Sequence, residues 1–206
     1  MKHIKILIAD DHAIVRLGLT AFFEAQRDFV LVGAAKDGEE AVRLAVTQHP
    51  DVVIMDLMMP RLNGVDATAK IKNLLPDSHI IVLTSYGSSD GVAHALAAGA
   101  SGALMKTDED AELVPAIRRI LEGQTVISPE IQQLLNEDPP IPELTKRQRD
   151  ILSSLTRGFS NKDIAIQLGI STRSVDDHVT AILSKIGAAN RVEAVAIALR
   201  KHLLKI

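Results

Sequence analysis

Five short apolar runs separated by amphipathic stretches constrain this chain of 206 residues more than any other feature. The runs are residues 4–9, broken only by Lys5, then 29–35, 52–55, 80–83 and 103–105. Runs apolar on both faces suit strands covered by helices on either side. Between them, residues 12–25, 38–48, 65–75, 89–98 and 108–121 read as amphipathic helices. Strands alternating with helices imply a parallel sheet, because parallel strands need crossover connections. The expected fold of this part is α/β, a doubly wound five-stranded parallel sheet. With aromatics at 2% and no Trp, its core must rest on Ala, Val, Ile and Leu. Hydrophobic residues at 47% and charged residues at 24% exclude a disordered chain. The absence of Cys excludes disulfides, thiol catalysis and thiolate metal sites. No apolar run approaches the ~20 residues of a membrane span, and the N-terminal run is too short for a signal peptide. A cytoplasmic protein without membrane contact is expected.

The sheet pattern ends near residue 122, and the composition then changes. Residues 136–142 carry three prolines in four positions, which neither a helix nor a central strand accommodates. A linker is placed at 123–143, with a short helix near 128–135 opened by Ser128-Pro129. Charge divides the same way. Residues 1–125 hold 12 basic and 17 acidic side chains, and residues 126–143 add four acids. Residues 144–206 hold 11 basic and 5 acidic ones, a net of +6. An acidic domain joined to a basic one points to an anionic partner for the second. In that second part, Thr145, Ser160 and Ser171 are helix caps, and Gly158, Gly169 and Gly187 are stops. Four helices follow, beginning near 145, 161, 172 and 191. The pair joined by the short turn Gly169-Ile170-Ser171 is a helix-turn-helix arrangement. An ordinary four-helix interaction module has the same patterning, and the positive charge favours nucleic acid.

In a doubly wound sheet, sites form beyond the carboxyl ends of the strands. Asp10 and Asp11 stand after the first strand, Asp56 after the third, Thr84 and Ser85 after the fourth, and Lys106 after the fifth. Taken alone, each has an ordinary explanation: an Asp after a strand is often a helix N-cap or turn residue. Taken together they bring three carboxylates, a hydroxyl and an ammonium group to one rim. Clustered carboxylates repel, and a divalent cation with oxygen ligands, Mg²⁺ by its coordination habits, relieves that repulsion. Lys106 is a compact charge suited to a phosphoryl oxygen. The set has the parts for in-line phosphoryl transfer to Asp56.

These residues, with Asp51-Val52-Val53-Ile54-Met55-Asp56, Met58-Met59-Pro60, Asn63-Gly64 and Gly99-Ala100-Ser101-Gly102-Ala103-Leu104-Met105-Lys106, resemble a response-regulator receiver domain over residues 1–122. The resemblance implies that Asp56 accepts a phosphoryl group from a sensor histidine kinase. It implies Mg²⁺ held by Asp11, Asp56 and the Met58 backbone carbonyl, with Asp10 acting through water, and phosphoryl contacts from Thr84 and Lys106. Two positions depart from the family. Ala103 stands where an aromatic switch residue is usual, with Tyr86 nearby on another element, and Thr107 replaces a frequent proline.

Residues 144–206 resemble the LuxR-type DNA-binding domain of NarL/FixJ regulators, through Leu144-Thr145, Ser160-Asn161-Lys162, Ile164-Ala165, Ile170-Ser171, Val175, His178, Lys185, Gly187 and Arg191. The resemblance implies a recognition helix from Thr172 and a double-stranded DNA partner. Its DNA-facing set would be Lys162, Thr172, Arg173, Asp176, Asp177, Thr180, Lys185 and Arg191, with Lys162, Arg173, Lys185 and Arg191 mostly on phosphates. Asp176 stands where the family usually carries Lys, and Gln148 replaces a frequent Glu. The reading that joins the halves is a transcriptional response regulator, not an enzyme, that is switched by phosphorylation and dimerises when phosphorylated or DNA-bound. Two other outputs stay open on sequence: a DNA binder indifferent to phosphorylation, and a receiver whose second domain binds protein instead of DNA.

Overall fold

The computed structural model describes residues 3–84, 89–106, 110–142, 144–201 and 203–204. They form two compact units, residues 1–139 and 140–206. The first unit alternates β1 (Ile4–Ala9), α1 (Ala13–Glu24), β2 (Phe29–Ala35), α2 (Gly38–Gln48), β3 (Val52–Asp56), α3 (Gly64–Leu74), β4 (His79–Thr84), α4 (Ser89–Ala97), β5 (Gly102–Met105) and α5 (Asp110–Leu121). All strand pairs are parallel.

The two-residue period of a strand divides the core between the faces of the sheet. Ile6 and Ile8 of β1 pack with Phe23 of α1 and with Leu113, Ile117 and Ile120 of α5. The intervening Leu7 and Ala9 pack with Ala41 and Ala45 of α2 and with Ala67 and Ile71 of α3. On the second face α2 and α3 contribute the alanines Ala41, Ala45 and Ala67 beside the larger Ile71.

Among the described residues the sheet has six strands, where the apolar runs lead one to expect five. The sixth, β6 (Val126–Ile127), pairs with β5 in the order β2-β1-β3-β4-β5-β6. It lies in the stretch expected to be a linker, and α6 (Pro129–Glu137) follows it. A two-residue strand carries no periodicity to read, so only its partner reveals it. Val126 N–H donates to Ser101 O at 3.1 Å and Ser128 N–H to Ala103 O at 3.0 Å. Gly102 makes this approach possible, since a Cβ there would lie 2.7 Å from Val126 O and 2.8 Å from Ile120 Cδ1. Ser128 caps α6 and Pro129 opens it, as the sequence suggests.

Helix α6 covers the place of the missing aromatic. Ala103 is fully buried in a cluster with Val92 and Ala95 of α4 and Ile131 of α6. At the far end of the helix, Ser89 Oγ donates to Asp138 Oδ2 at 2.9 Å. Tyr86, like Ser85 and Thr107, lies outside the described residues. Ala103→Phe is expected to lift α6 from β5 and to cost this unit about 1–3 kcal/mol by overpacking. Thermal melting and limited proteolysis within residues 126–139 read both effects; an unchanged melt with α6 still protected would show that Ile131 does not limit the space at Ala103.

The second unit is helical: α7 (Lys146–Thr156), α8 (Asn161–Leu168), α9 (Thr172–Ile186) and α10 (Arg191–Arg200). Thr145 with Gln148 and Ser160 with Asp163 form capping boxes. Gly169 and Gly187, at φ 64° and 69°, end α8 and α9 in the left-handed conformation that a Cβ disfavours. Ile151, Leu152, Ile164, Val175, Ile182 and Ala194 lead the core that holds the four helices together. No helix among the described residues is long and apolar enough to cross a membrane.

Candidate functional site

The parallel sheet puts the ends of β1, β3, β4 and β5 on one rim, and the chemistry stands there. Asp10 and Asp56 are 2% and 5% exposed. Lys106 Nζ lies 2.6 Å from Asp10 Oδ2 and 3.1 Å from Asp56 Oδ1. Asp11 is more open and is held by His12, whose Nδ1 is 2.8 Å from Asp11 Oδ1. His12 also fastens Asp10, by its backbone N–H at 2.8 Å from Oδ1. Arg16 Nη1 donates to the Asp10 carbonyl at 2.7 Å, which ties the end of β1 to the first turn of α1. Thr84 is buried at the end of β4, and its carbonyl accepts from Lys106 N–H at 2.8 Å. The hydroxyl and the ammonium group thus sit on adjoining strand ends.

Burial sets the electrostatics. Desolvation pushes the Asp56 carboxyl above its ordinary range. Lys106 pulls it back, and Asp10 pushes it up again by like-charge repulsion. Burial also works against the charge on Lys106, but its bond to Asp10 and the charges of Asp56 and Asp10 outweigh that and raise its pKa. One ammonium group therefore serves two buried carboxylates, with a third close by. Asp10, Asp11, His12 and Asp56 each offer an atom within 4.8 Å of the others, a set that could hold a metal ion. Three carboxylates suit a hard divalent cation, which would supply the positive charge that Lys106 alone does not.

The loop from β3 to α3 is held for reasons the sequence does not advertise. Gly64 N–H donates to Leu57 O at 2.9 Å, and Asn63 caps α3 through Asp66 N–H at 2.8 Å. Arg61, at φ 64°, adopts a backbone conformation rare for a side-chain-bearing residue. Its guanidinium pairs with Asp37, a buried carboxylate that also caps α2. Asp37 and Arg61 escape sequence reasoning because only the fold brings the two close, whereas His12 adjoins Asp11 in the chain and only its side-chain contact is new. Met58 is exposed on this loop.

In the helical unit, Thr172, Arg173, Asp176, Asp177 and Thr180 are exposed along α9, and Lys162 is exposed at the start of α8. Lys185 and Arg191 are half-buried. Lys185 Nζ donates to Gln148 Oε1 at 3.3 Å, and Arg191 Nη2 to Phe159 O. Gln148, the departure from a frequent Glu, thus serves both the α7 capping box and Lys185.

An acidic, lysine-bridged rim on a doubly wound sheet, joined to a basic helix-turn-helix unit, defines a two-domain signalling regulator. Comparison with known proteins agrees. Residues 6–118 match the response regulator receiver domain, and residues 142–198 match the bacterial regulatory proteins of the luxR family. The chain is 41% identical to the transcriptional regulatory protein LiaR of Bacillus subtilis (strain 168), over 98% of this chain and 99% of that one. It is 38% identical to the oxygen regulatory protein NreC of Staphylococcus carnosus (strain TM300), over 97% and 99%. Among solved structures it is similar to the response regulator ChrA of a heme-sensing two-component system, with a TM-score of 0.59 and 31% identity over 99% of this chain and 100% of that one. The chain belongs to the NarL/FixJ family of two-component response regulators, transcriptional regulators with a receiver and a LuxR-type DNA-binding domain.

Proposed function

We propose that Asp56 takes a phosphoryl group from the phosphohistidine of a sensor histidine kinase, and that this switches how the helical unit engages double-stranded DNA. The observation that carries the reading is Lys106 Nζ lying between Asp10 and Asp56 at one strand rim. In the transfer, an Asp56 carboxylate oxygen forms the new O–P bond as the P–N bond to histidine breaks. Lys106 and Thr84 receive the phosphoryl oxygens. Asp10, Asp11 and Asp56, with the Met58 carbonyl, would hold Mg²⁺, which supplies neutralising charge for the carboxylates and the phosphoryl group.

Lys162, Arg173, Lys185 and Arg191 supply the phosphate contacts, and Thr172, Asp176, Asp177 and Thr180 face the bases. Phosphorylation shifts the receiver between two populations and favours a homodimer. Two linked DNA modules then bind together, the second contact being effectively intramolecular. The similarity to a transcriptional regulatory protein and an oxygen regulatory protein supports a transcriptional output.

The experiment is genomic-fragment selection by the purified protein, with and without Mg²⁺ and a small-molecule phosphodonor, alongside intact mass. A Mg²⁺-dependent gain of one phosphoryl group is expected, with donor-dependent enrichment of paired half-sites about one helical turn apart. Enrichment indifferent to the donor would make this a phosphorylation-independent DNA binder. A mass gain with no enrichment would leave a receiver whose second unit binds protein.

A further inference from the structure

We propose that Asp176 recognises cytosine in the major groove, accepting a hydrogen bond from its N4 amino group, and that Asn161 positions the Asp176 carboxylate for it. The proposal rests on the DNA-binding reading above and adds to it a base and a positioning residue. In a helix-turn-helix pair the second helix enters the major groove and its N-terminal turns meet base edges. Here that helix is α9, and Asp176 is exposed in its second turn beside Thr172, Arg173 and Thr180. Each of the three lies three or four residues from Asp176, so each neighbours it on the helix surface.

The Asp176 carboxylate does not hang loose on this surface. Asn161, the first residue of α8, donates from Nδ2 to Asp176 Oδ1 at 2.6 Å. The other amide atom, Asn161 Oδ1, is buried and makes no hydrogen bond. Turning the amide over would set two oxygens against each other, so the donating orientation is held even though it leaves that oxygen unsatisfied. In the following turn of α9, Thr180 Oγ1 donates to Asp176 O at 3.0 Å. A contact across two helices therefore fixes one carboxylate oxygen. The carboxylate keeps further acceptor sites and loses less rotamer freedom on binding than an untethered acid would.

What such a group can recognise follows from its chemistry. An ionised carboxylate only accepts, so it repels phosphate oxygens and needs a donor. The major groove offers two amino donors, cytosine N4 and adenine N6. Adenine places its N7 acceptor beside N6, against the second carboxylate oxygen, whereas cytosine has no acceptor there. The geometry thus favours cytosine.

The test is selection from randomised duplexes by the full chain, as wild type, Asp176→Asn, Asp176→Ala and Asn161→Ala, each first checked for an unchanged thermal melt. The wild type is expected to favour cytosine about tenfold or more at one position in each half-site. Asp176→Asn should move that position to adenine, whose N6 and N7 pair with an amide. Asp176→Ala should erase the preference there and leave the other positions unchanged. Asn161→Ala should keep cytosine with a preference several-fold weaker. An identical consensus in wild type, Asp176→Asn and Asp176→Ala would overturn base recognition by Asp176. A full cytosine preference in Asn161→Ala would overturn the positioning role. Selection of no sequence by the wild type would overturn the DNA-binding reading, and this proposal with it.

Discussion

Asp56→Asn is expected to abolish phosphoryl uptake and, at neutral pH, to make the receiver more stable. The two effects have one cause. Asp56 is buried beside Asp10 and Asp11 and shares a single ammonium group with Asp10. Its folded-state pKa is raised, first by desolvation. A carboxyl raised in the folded state binds its proton more tightly there than in the unfolded chain. Its stabilising contribution is therefore present below its ordinary pKa and is lost as pH rises through the folded value. Asparagine has nothing to ionise and still offers Lys106 an acceptor. The variant and the wild type should melt together in acid and diverge as pH rises toward neutrality, with the variant higher by several degrees, the shift that about 1 kcal/mol produces in a unit of this size. Mg²⁺ should narrow the gap by stabilising the wild type more. Melting curves at a series of pH values, with intact mass after phosphodonor treatment, read both effects. Equal melting at neutral pH without Mg²⁺ would mean that the carboxylates do not strain the site.

Gly64→Ala should do the reverse and damage the fold and the site together. A Cβ on Gly64 would lie 2.0 Å from Asp56 O and 2.9 Å from Leu57 Cα, both backbone atoms that no rotamer change can move aside. The Gly64 N–H to Leu57 O bond pins the start of α3 to the end of β3. Relieving the clash means breaking that bond or displacing the strand end that carries Asp56. A loss of about 3 kcal/mol or more in the first unit is expected, at the upper end of overpacking costs. Phosphoryl uptake should fall in the fraction that stays folded. The helical unit, which has its own core, should melt as before. Calorimetry separates the two transitions, and a first transition within a degree of the wild type would show that the β3–α3 loop relaxes freely.

The residues differ in how openly they declare themselves. Asp10, Asp11, Asp56, Thr84 and Lys106 are legible because each follows an apolar run, and a parallel sheet must bring the ends of such runs to one rim. The helix boundaries of the second unit are legible because Thr145, Ser160, Ser171, Gly169 and Gly187 act on the backbone within a few residues of themselves. Strand β6 is not legible, because two residues carry no period and their pairing depends on the absent side chain of Gly102, distant in the chain. Nor is the fate of Lys185 and Arg191. The sequence resemblance assigns both to DNA phosphates, and only the packing of the helical unit puts Gln148 Oε1 and Phe159 O in their reach.

By itself the sequence determined what local physics decides: the alternation of buried strands and amphipathic helices, the caps that bound them, the division into acidic and basic parts, and the charged residues at the strand ends. These are set by side-chain period, backbone preference and charge within a short window of chain. The tertiary structure alone decided which distant groups meet: Lys106 between Asp10 and Asp56, Arg61 on Asp37, Ile131 over Ala103, and Asn161 on Asp176. Hydrogen bonds and ion pairs act over a few ångströms. Partners far apart in the chain come within that reach only when the whole fold has closed.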